Sequence, residues 1–411
     1  RTGTARARQN SDRPQAGTAS LLEQFEGQIR WTWQIRDNSK IMTNPAFDPV
    51  TCDIYCRVID NFGDISVCWR LARALAKEAG WQVRLVCDDL ATFARLCPRF
   101  QSLPFSEHGV ELFAWGVPPI TAADIIIEAF ACDLPVSTVQ AMQQRALPPL
   151  WINLEYLSAE DWVESCHGLP SPQPSGLNKI FVFPGFTERT GGLIREQGLL
   201  EAQMTWQADA HQREQFLRSL GVGEPQALNI VLFTYPTLAL DSWLASWEHY
   251  PTRVNVLVLP GAVQELLRAR QLPPAVQLIA LPFIEPTAFD QLLWSGDCLL
   301  VRGEDSFVRA QWATKPMLWH IYPQAEQAHE AKLQAFHQRY TASMPLQPRL
   351  AWEAFSWAWN RGQDVSTLWP EWLKHREALE SHAQVWQQAL GQKANLQSCL
   401  QRLWQDHAGK L

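Results

Sequence analysis

Beyond residue 50 the chain alternates short apolar runs with stretches whose apolar positions recur at helical spacing. Residues 52–58 (CDIYCRV) read as a buried strand, NFGD as a turn, and 65–79 as a helix stopped by Gly80. Within that helix Arg70 and Arg73 alternate with Leu71 and Leu75, the pattern of an ordinary amphipathic helix. Further apolar runs follow at 81–87, 109–115, 123–130, 149–155 and 178–185, with a Ser/Pro/Gly-rich loop at 156–178. After a helix near 207–220 a second series begins. It has strands at 227–236, 254–260, 276–284, 297–303 and 315–323 and helices at 238–248, 262–270 and 287–295; from 350 onward the pattern is helical. Apolar strands alternating with helices predict parallel sheets covered on both faces. Two such series predict an α/β protein of two Rossmann-like halves, with ligand in the cleft at the strand C-termini.

The length of 411 residues suits two or three domains. No apolar run is long enough to span a membrane as a helix, and a net charge of −7 argues against a phosphate-gripping nucleic-acid binder. Residues 1–41 carry seven basic and four acidic groups, while the rest carries 28 basic and 38 acidic ones. That basic start lacks the apolar core of a secretory signal and reads as a disordered extension, with the folded part beginning near Met42. The nine cysteines form no C-x-x-C pair. Most lie in apolar segments, as expected of reduced thiols in a cytoplasmic protein without a zinc site. The 20 tryptophans admit two readings, as platforms for sugars or bases and as packing. Most fall on predicted strands, core helices and the C-terminal helices, which favours packing.

Chemistry concentrates at two strand-to-helix turns. At the first, Asp60 and Asp64 flank Gly63 where the first helix starts. Carboxylates here either cap the helix or line a site, and spacing alone does not decide between them. At the second, an apolar strand runs into Arg302-Gly303-Glu304-Asp305-Ser306 and a helix. Helix-start amides beside an arginine suit a diphosphate, although Asp305 or Ser306 would also serve as a cap. Neither turn carries G-x-G-x-x-G or a P-loop, and no Asp-x-Asp triplet occurs for a metal-bridged diphosphate. Residues 189–192 (RTGG) read as a plain turn, a hinge or a ligand contact. His320 reads as a strand-end residue, and His329 and His337 need no role.

Three long segments carry a family resemblance: DIYCRVIDNFGDISVCWRLARAL, FPGFTERTGGLIRE and FDQLLWSGDCLLVRGEDSFVRAQWATKPMLWHIYPQ. They resemble the EarP family, the protein-arginine rhamnosyltransferases of bacterial elongation factor P, in order and spacing over residues 50–405. The resemblance implies a GT-B fold of two facing Rossmann-like domains with a C-terminal helical segment crossing back. It places the first domain at 42–200, the second at 201–370 and the crossing segment at 371–411. It implies transfer of L-rhamnose from dTDP-β-L-rhamnose to one arginine of elongation factor P, with inversion and without metal or other cofactor. The enzyme would work as a monomer with a transient protein partner, activating elongation factor P for ribosomes stalled at polyproline.

By motif position Asp64 resembles the general base, Asp60 its supporting carboxylate, and Glu304 the group that orients the acceptor guanidinium. Arg302, Gly303, Asp305 and Ser306 fall where the family holds the diphosphate. Asn61, Phe62 and Gly63 fall on the donor side of the first turn, and Phe233, Tyr235, Phe283 and Phe289 in the nucleotide pocket. Ser66 stands where the family usually has glycine, which bears on helix entry near the sugar. Pro286 stands where glutamine is common, which removes a side-chain contact to thymine. The competing readings are another nucleotide-sugar GT-B enzyme and a non-catalytic nucleotide-binding Rossmann protein.

Overall fold

The computed structural model describes residues 49–59, 62–117, 119–324 and 328–410; the predicted extension at 1–41, Asp60 and Asn61 lie outside them. The first half comprises β1 (Thr51–Cys56), α1 (Gly63–Ala74), β2 (Gln82–Cys87), α2 (Leu90–Leu96), β3 (Phe105–Glu107), β4 (Val110–Ala114), β5 (Ile125–Ala129), α3 (Val136–Gln143), β6 (Leu150–Leu154), α4 (Val163–Cys166), β7 (Pro170–Pro172) and β8 (Asn178–Val182). The second comprises α5 (Leu199–Ala208), α6 (Ala210–Ser219), β9 (Leu228–Leu232), α7 (Ala239–Ala245), β10 (Val254–Val258), α8 (Ala262–Arg268), β11 (Val276–Ala280), α9 (Pro286–Ser295), β12 (Cys298–Arg302), α10 (Asp305–Trp312), β13 (Met317–His320) and α11 (Ala328–Tyr340). Then come α12 (Leu346–Asn360), α13 (Leu368–Lys374), α14 (Arg376–Gly391) and α15 (Leu396–Ala408).

The first sheet runs β3-β4-β2-β1-β5-β6-β8-β7 and the second β11-β10-β9-β12-β13. Without its outermost strands the first has the doubly wound order, reversing between β1 and β5; the second reverses between β9 and β12. All pairings in the second sheet are parallel. In the first, β3 and β7 pair antiparallel at the two edges, so the expectation of purely parallel sheets is corrected there. Each is a three-residue strand that closes a hairpin, too short to show an apolar period. The central strands are buried along their length: β1 places Ile54 between Leu85 and Ile127, all fully buried.

Two further corrections concern helices. The helix expected at 207–220 is α6, which starts only after Asp209, whose side chain accepts from the Gln212 amide and caps it, and α5 ahead of it is an unexpected helix. α1 widens after Ala74 into a π-helical turn (Leu75–Ala79) before Gly80 ends it in the left-handed region at φ 68°. The stretch expected as loop at 156–178 also contains α4 and β7.

The C-terminal helices divide between the halves. Trp352, Phe355, Trp359, Trp369, Trp372, Leu379 and Leu390 of α12–α14 join the core of the second sheet. Leu396 and Leu400 of α15 enter the core of the first, with Leu403 and Trp404 alongside. The crossing segment is therefore narrower than the expected 371–411 and begins after Gly391. It docks on residues 185–196. The Arg195 guanidinium donates to the Leu390, Gly391 and Lys393 carbonyls, Lys393 donates to the Phe186 carbonyl at 2.6 Å, and the Leu396 amide donates to Leu193. Gly192, at φ +74°, lies so close to the Ala394 carbonyl that a Cβ would strike it. RTGG is thus where the linker between the halves receives the C-terminal crossing.

Trp243, Trp247, Trp359, Trp369 and Trp372 pack edge-on or stacked on one another, all essentially buried, which supports packing as the use of this residue. All nine cysteines are free thiols, eight of them buried. Among the described residues no helix is long and apolar enough to cross a membrane.

Candidate active site

The turns that follow β1, β9 and β12 meet at the strand C-termini of both sheets, where doubly wound folds bind ligands. They line one open cleft of about 710 Å³ between the halves. Phe62 and Gly63 border it from the first half; Phe233, Tyr235, Phe283, Phe289, Arg302, Gly303, Glu304, Asp305 and Ser306 border it from the second. Phe62 packs on Phe283 across the cleft with ring centroids 4.5 Å apart.

Arg302 ends β12, and its guanidinium lies over two rings, 4.6 Å from the centroids of both Phe233 and Tyr235. That fixes a cation at the mouth of α10, whose first-turn amides have no intrahelical partner. Gly303, at φ 64°, permits the sharp entry, and its carbonyl accepts from the Trp319 indole at 3.0 Å. A cation, free amides and aromatic faces together suit a nucleoside diphosphate.

The capping alternatives do not describe these side chains. α1 has Phe62 at its N-cap and α10 has Glu304, neither with a side-chain cap bond. Ser306 donates its hydroxyl to the Arg302 carbonyl. The Asp305 carboxylate pairs with Arg70 Nε at 2.9 Å, so its carboxylate serves the protein interior and only its backbone is left for a diphosphate. Arg70 is the clearest departure from the sequence reading. Instead of lying on a solvated helix face it is 5% exposed and bound to acidic groups of the other half.

Asp64 is 2% exposed. Its Oδ2 accepts from the Ile59 amide at 2.8 Å and its Oδ1 from the Tyr156 hydroxyl at 3.1 Å. Tyr156 itself stacks on Phe130 at 4.3 Å, and Lys332 lies 5.7 Å from its ring. The next residue, Leu157, donates its amide to Glu304 Oε2 at 2.9 Å. Consecutive residues after β6 therefore hold one carboxylate from each half. Burial pushes Glu304 up to about 7, and Asp64 and Asp305 push the same way; Lys332 and the Leu157 amide oppose them. Neither Tyr156 nor Leu157 was singled out from the sequence. The signal was a tyrosine where an apolar strand gives way to a loop.

The two departures from the family pattern have clear places. Ser66 is buried against the cleft, its amide donating to the Phe62 carbonyl at 2.9 Å. Pro286 opens α9 and borders the cleft with an apolar ring, while its carbonyl accepts from Arg70 Nη2 at 3.1 Å. His320 ends β13 and accepts from the Trp359 indole; burial, then Arg302 and His329, lower it to about 3. Burial likewise lowers His337 to about 3, beside the Ser356 hydroxyl. His329 accepts from the Gln324 amide.

The family model for Elongation-Factor P (EF-P) rhamnosyltransferase EarP matches residues 52–405. A protein-arginine rhamnosyltransferase of Pseudomonas putida is 46% identical over 355 residues, covering 82% of this chain and 93% of that protein. One of Pseudomonas aeruginosa is 44% identical over 377 residues, covering 86% and 98%. A solved structure concerning EarP-mediated arginine glycosylation of translation elongation factor EF-P aligns with TM-score 0.62 and 31% identity, over 87% of this chain and 99% of that one. With its two doubly wound sheets and C-terminal crossing, the chain belongs to the EarP family of protein-arginine rhamnosyltransferases, enzymes of GT-B fold.

Proposed function

We propose that this enzyme transfers L-rhamnose from dTDP-β-L-rhamnose to an arginine of elongation factor P, with inversion at the anomeric carbon. The observation that carries the reading is a pair of carboxylates from opposite halves, Glu304 lining the cleft and Asp64 close enough to raise it, held by the consecutive residues Leu157 and Tyr156. A guanidinium is charged at physiological pH and is a poor nucleophile. Between two carboxylates it is held by charge-assisted hydrogen bonds, with Glu304 orienting it and Asp64 beside the attacking nitrogen.

Rhamnose lies between this pair and the α10 turn. The nitrogen attacks the anomeric carbon opposite the departing diphosphate, so the β-linked donor gives an α-linked product. As the C–N bond forms and the C–O bond breaks, the bonding electrons leave with dTDP. The nitrogen's proton passes to Asp64, so the guanidinium need not be deprotonated beforehand. Carboxylate charge also stabilises the oxocarbenium-like sugar. Arg302 and the α10 amides meet the growing charge on dTDP, and Phe233, Tyr235, Phe283 and Phe289 hold its nucleoside. By motif position Asp60 is the carboxylate that supports Asp64, and Asn61 a donor-side residue. Elongation factor P engages transiently, one enzyme monomer to one acceptor.

The test offers the enzyme dTDP-, UDP- and GDP-linked sugars with elongation factor P and reads the acceptor mass. The anomeric configuration is then taken from NMR of the modified peptide. Use of dTDP-rhamnose alone with an α-linked product supports the reading; preference for another nucleotide sugar, or a β-linked product, overturns it.

A further inference from the structure

Beneath the cleft an ion cluster ties Asp305 of the anion turn to two buried arginines, with the partly exposed Glu196 at its edge. Arg309 of α10, 2% exposed, forks onto Asp290 of α9 at 2.7 and 2.8 Å and reaches Glu196 of the inter-half linker at 2.6 Å. Arg70, from α1 of the first half, enters the same cluster. It meets Asp305 at 2.9 Å, Asp290 at 3.3 Å and Glu196 at 3.5 Å, and donates to the Pro286 carbonyl at 3.1 Å. Burial alone would raise Glu196, but Arg309 and Arg70 hold it down at about 2.

Such a cluster adds little net stability over an apolar filling. Its distinctive property is orientation, because a planar guanidinium fork is satisfied at one arrangement of its partners. Arg70 lies less than two turns along α1 from Asp64, and its partner Asp305 is the neighbour of Glu304. Although Arg70 borders the donor cleft, its Nε, Nη1 and Nη2 are all engaged with the protein, which leaves it poorly placed to bind diphosphate.

We infer that Arg70 is a positioning residue locking α1 to the α9–α10 side of the second half, so that Asp64 reaches the acceptor nitrogen while the α10 amides hold the donor. This rests on the roles given above to Asp64 and the α10 turn.

The test compares wild type, Arg70→Lys and Arg70→Met in rhamnosyl transfer to elongation factor P, with kcat taken per dTDP-titrated site. Donor affinity is measured by calorimetry and folding by thermal melts. A misplacement of reacting groups by about 1 Å costs on the order of 10²-fold in rate. Arg70→Met is expected to lose about that in kcat, with dTDP affinity within about threefold. Arg70→Lys keeps the charge but not the fork. It is expected to melt near wild type and still lose roughly tenfold in kcat, which a purely structural role would not produce. Wild-type kcat in a folded Arg70→Lys would overturn the inference, as would a loss lying in dTDP affinity with kcat intact, the mark of a donor ligand. An inactive wild type would instead overturn the functional reading, and this inference with it.

Discussion

Replacing Asp64 by asparagine separates proton removal from everything else the residue does. Among the described residues the carboxylate accepts from the Ile59 amide on Oδ2 and from the Tyr156 hydroxyl on Oδ1. An asparagine that keeps its oxygen on Ile59 turns its amide toward Tyr156, whose hydroxyl rotates to accept. Both bonds survive, so stability should change by no more than about 1 kcal/mol. The donor contacts assigned to Arg302, Phe233 and Tyr235 lie on the other half and should be unaffected. What is lost is the proton acceptor, a contribution of roughly 10²–10⁴ in rate, or about 3–5 kcal/mol. The assay is a single-turnover reaction at saturating donor, quenched and read by mass spectrometry of the acceptor, with dTDP affinity from calorimetry. Turnover within about tenfold of wild type would refute the base assignment, as would a loss accounted for by weaker dTDP binding.

Three further outcomes follow from the same geometry. Removing Arg302 (Arg302→Ala) takes a cation from the diphosphate site, and dTDP affinity should fall by about 1.5–3 kcal/mol in calorimetry with the fold retained. Glu304 titrates near 7 in the free enzyme, so kcat/KM for the acceptor should rise with pH through that value and flatten above it. Its folded state keeps a proton that the unfolded state releases between about 4.5 and about 7, so this group lowers stability as pH rises through that window. Glu304→Gln should abolish both dependences, in initial rates and in melts. Gly192→Ala puts a Cβ into the Ala394 carbonyl at a left-handed backbone position, and should cost roughly 2 kcal/mol or more by denaturant unfolding.

The sequence exposed most of what local pattern encodes. Continuous apolar runs such as those of β5 and β12 located the central strands, and the turns after β1 and β12 stood out because carboxylates and an arginine interrupt apolar segments. What stayed hidden depends on distance. Arg70 fits an amphipathic helix, and its partners lie up to 235 residues away, so its burial becomes visible only when the halves meet. Tyr156 and Leu157 open a loop whose composition says nothing of the two carboxylates they hold. β3 and β7 are three residues long, too short for a period, and Pro170 and Pro172 make β7 look like loop. The break between α5 and α6 turns on Asp209, which reads as one more polar residue on an exposed helix until its cap bond is seen.

The central claim is that this cleft joins rhamnose to an arginine of elongation factor P. It is tested most directly by incubating the purified enzyme with dTDP-rhamnose and elongation factor P and mapping the acceptor by tandem mass spectrometry. The account predicts one added deoxyhexose on a single arginine, absent when Asp64→Asn replaces the wild type. Unmodified elongation factor P, with dTDP bound and the donor intact, would contradict it.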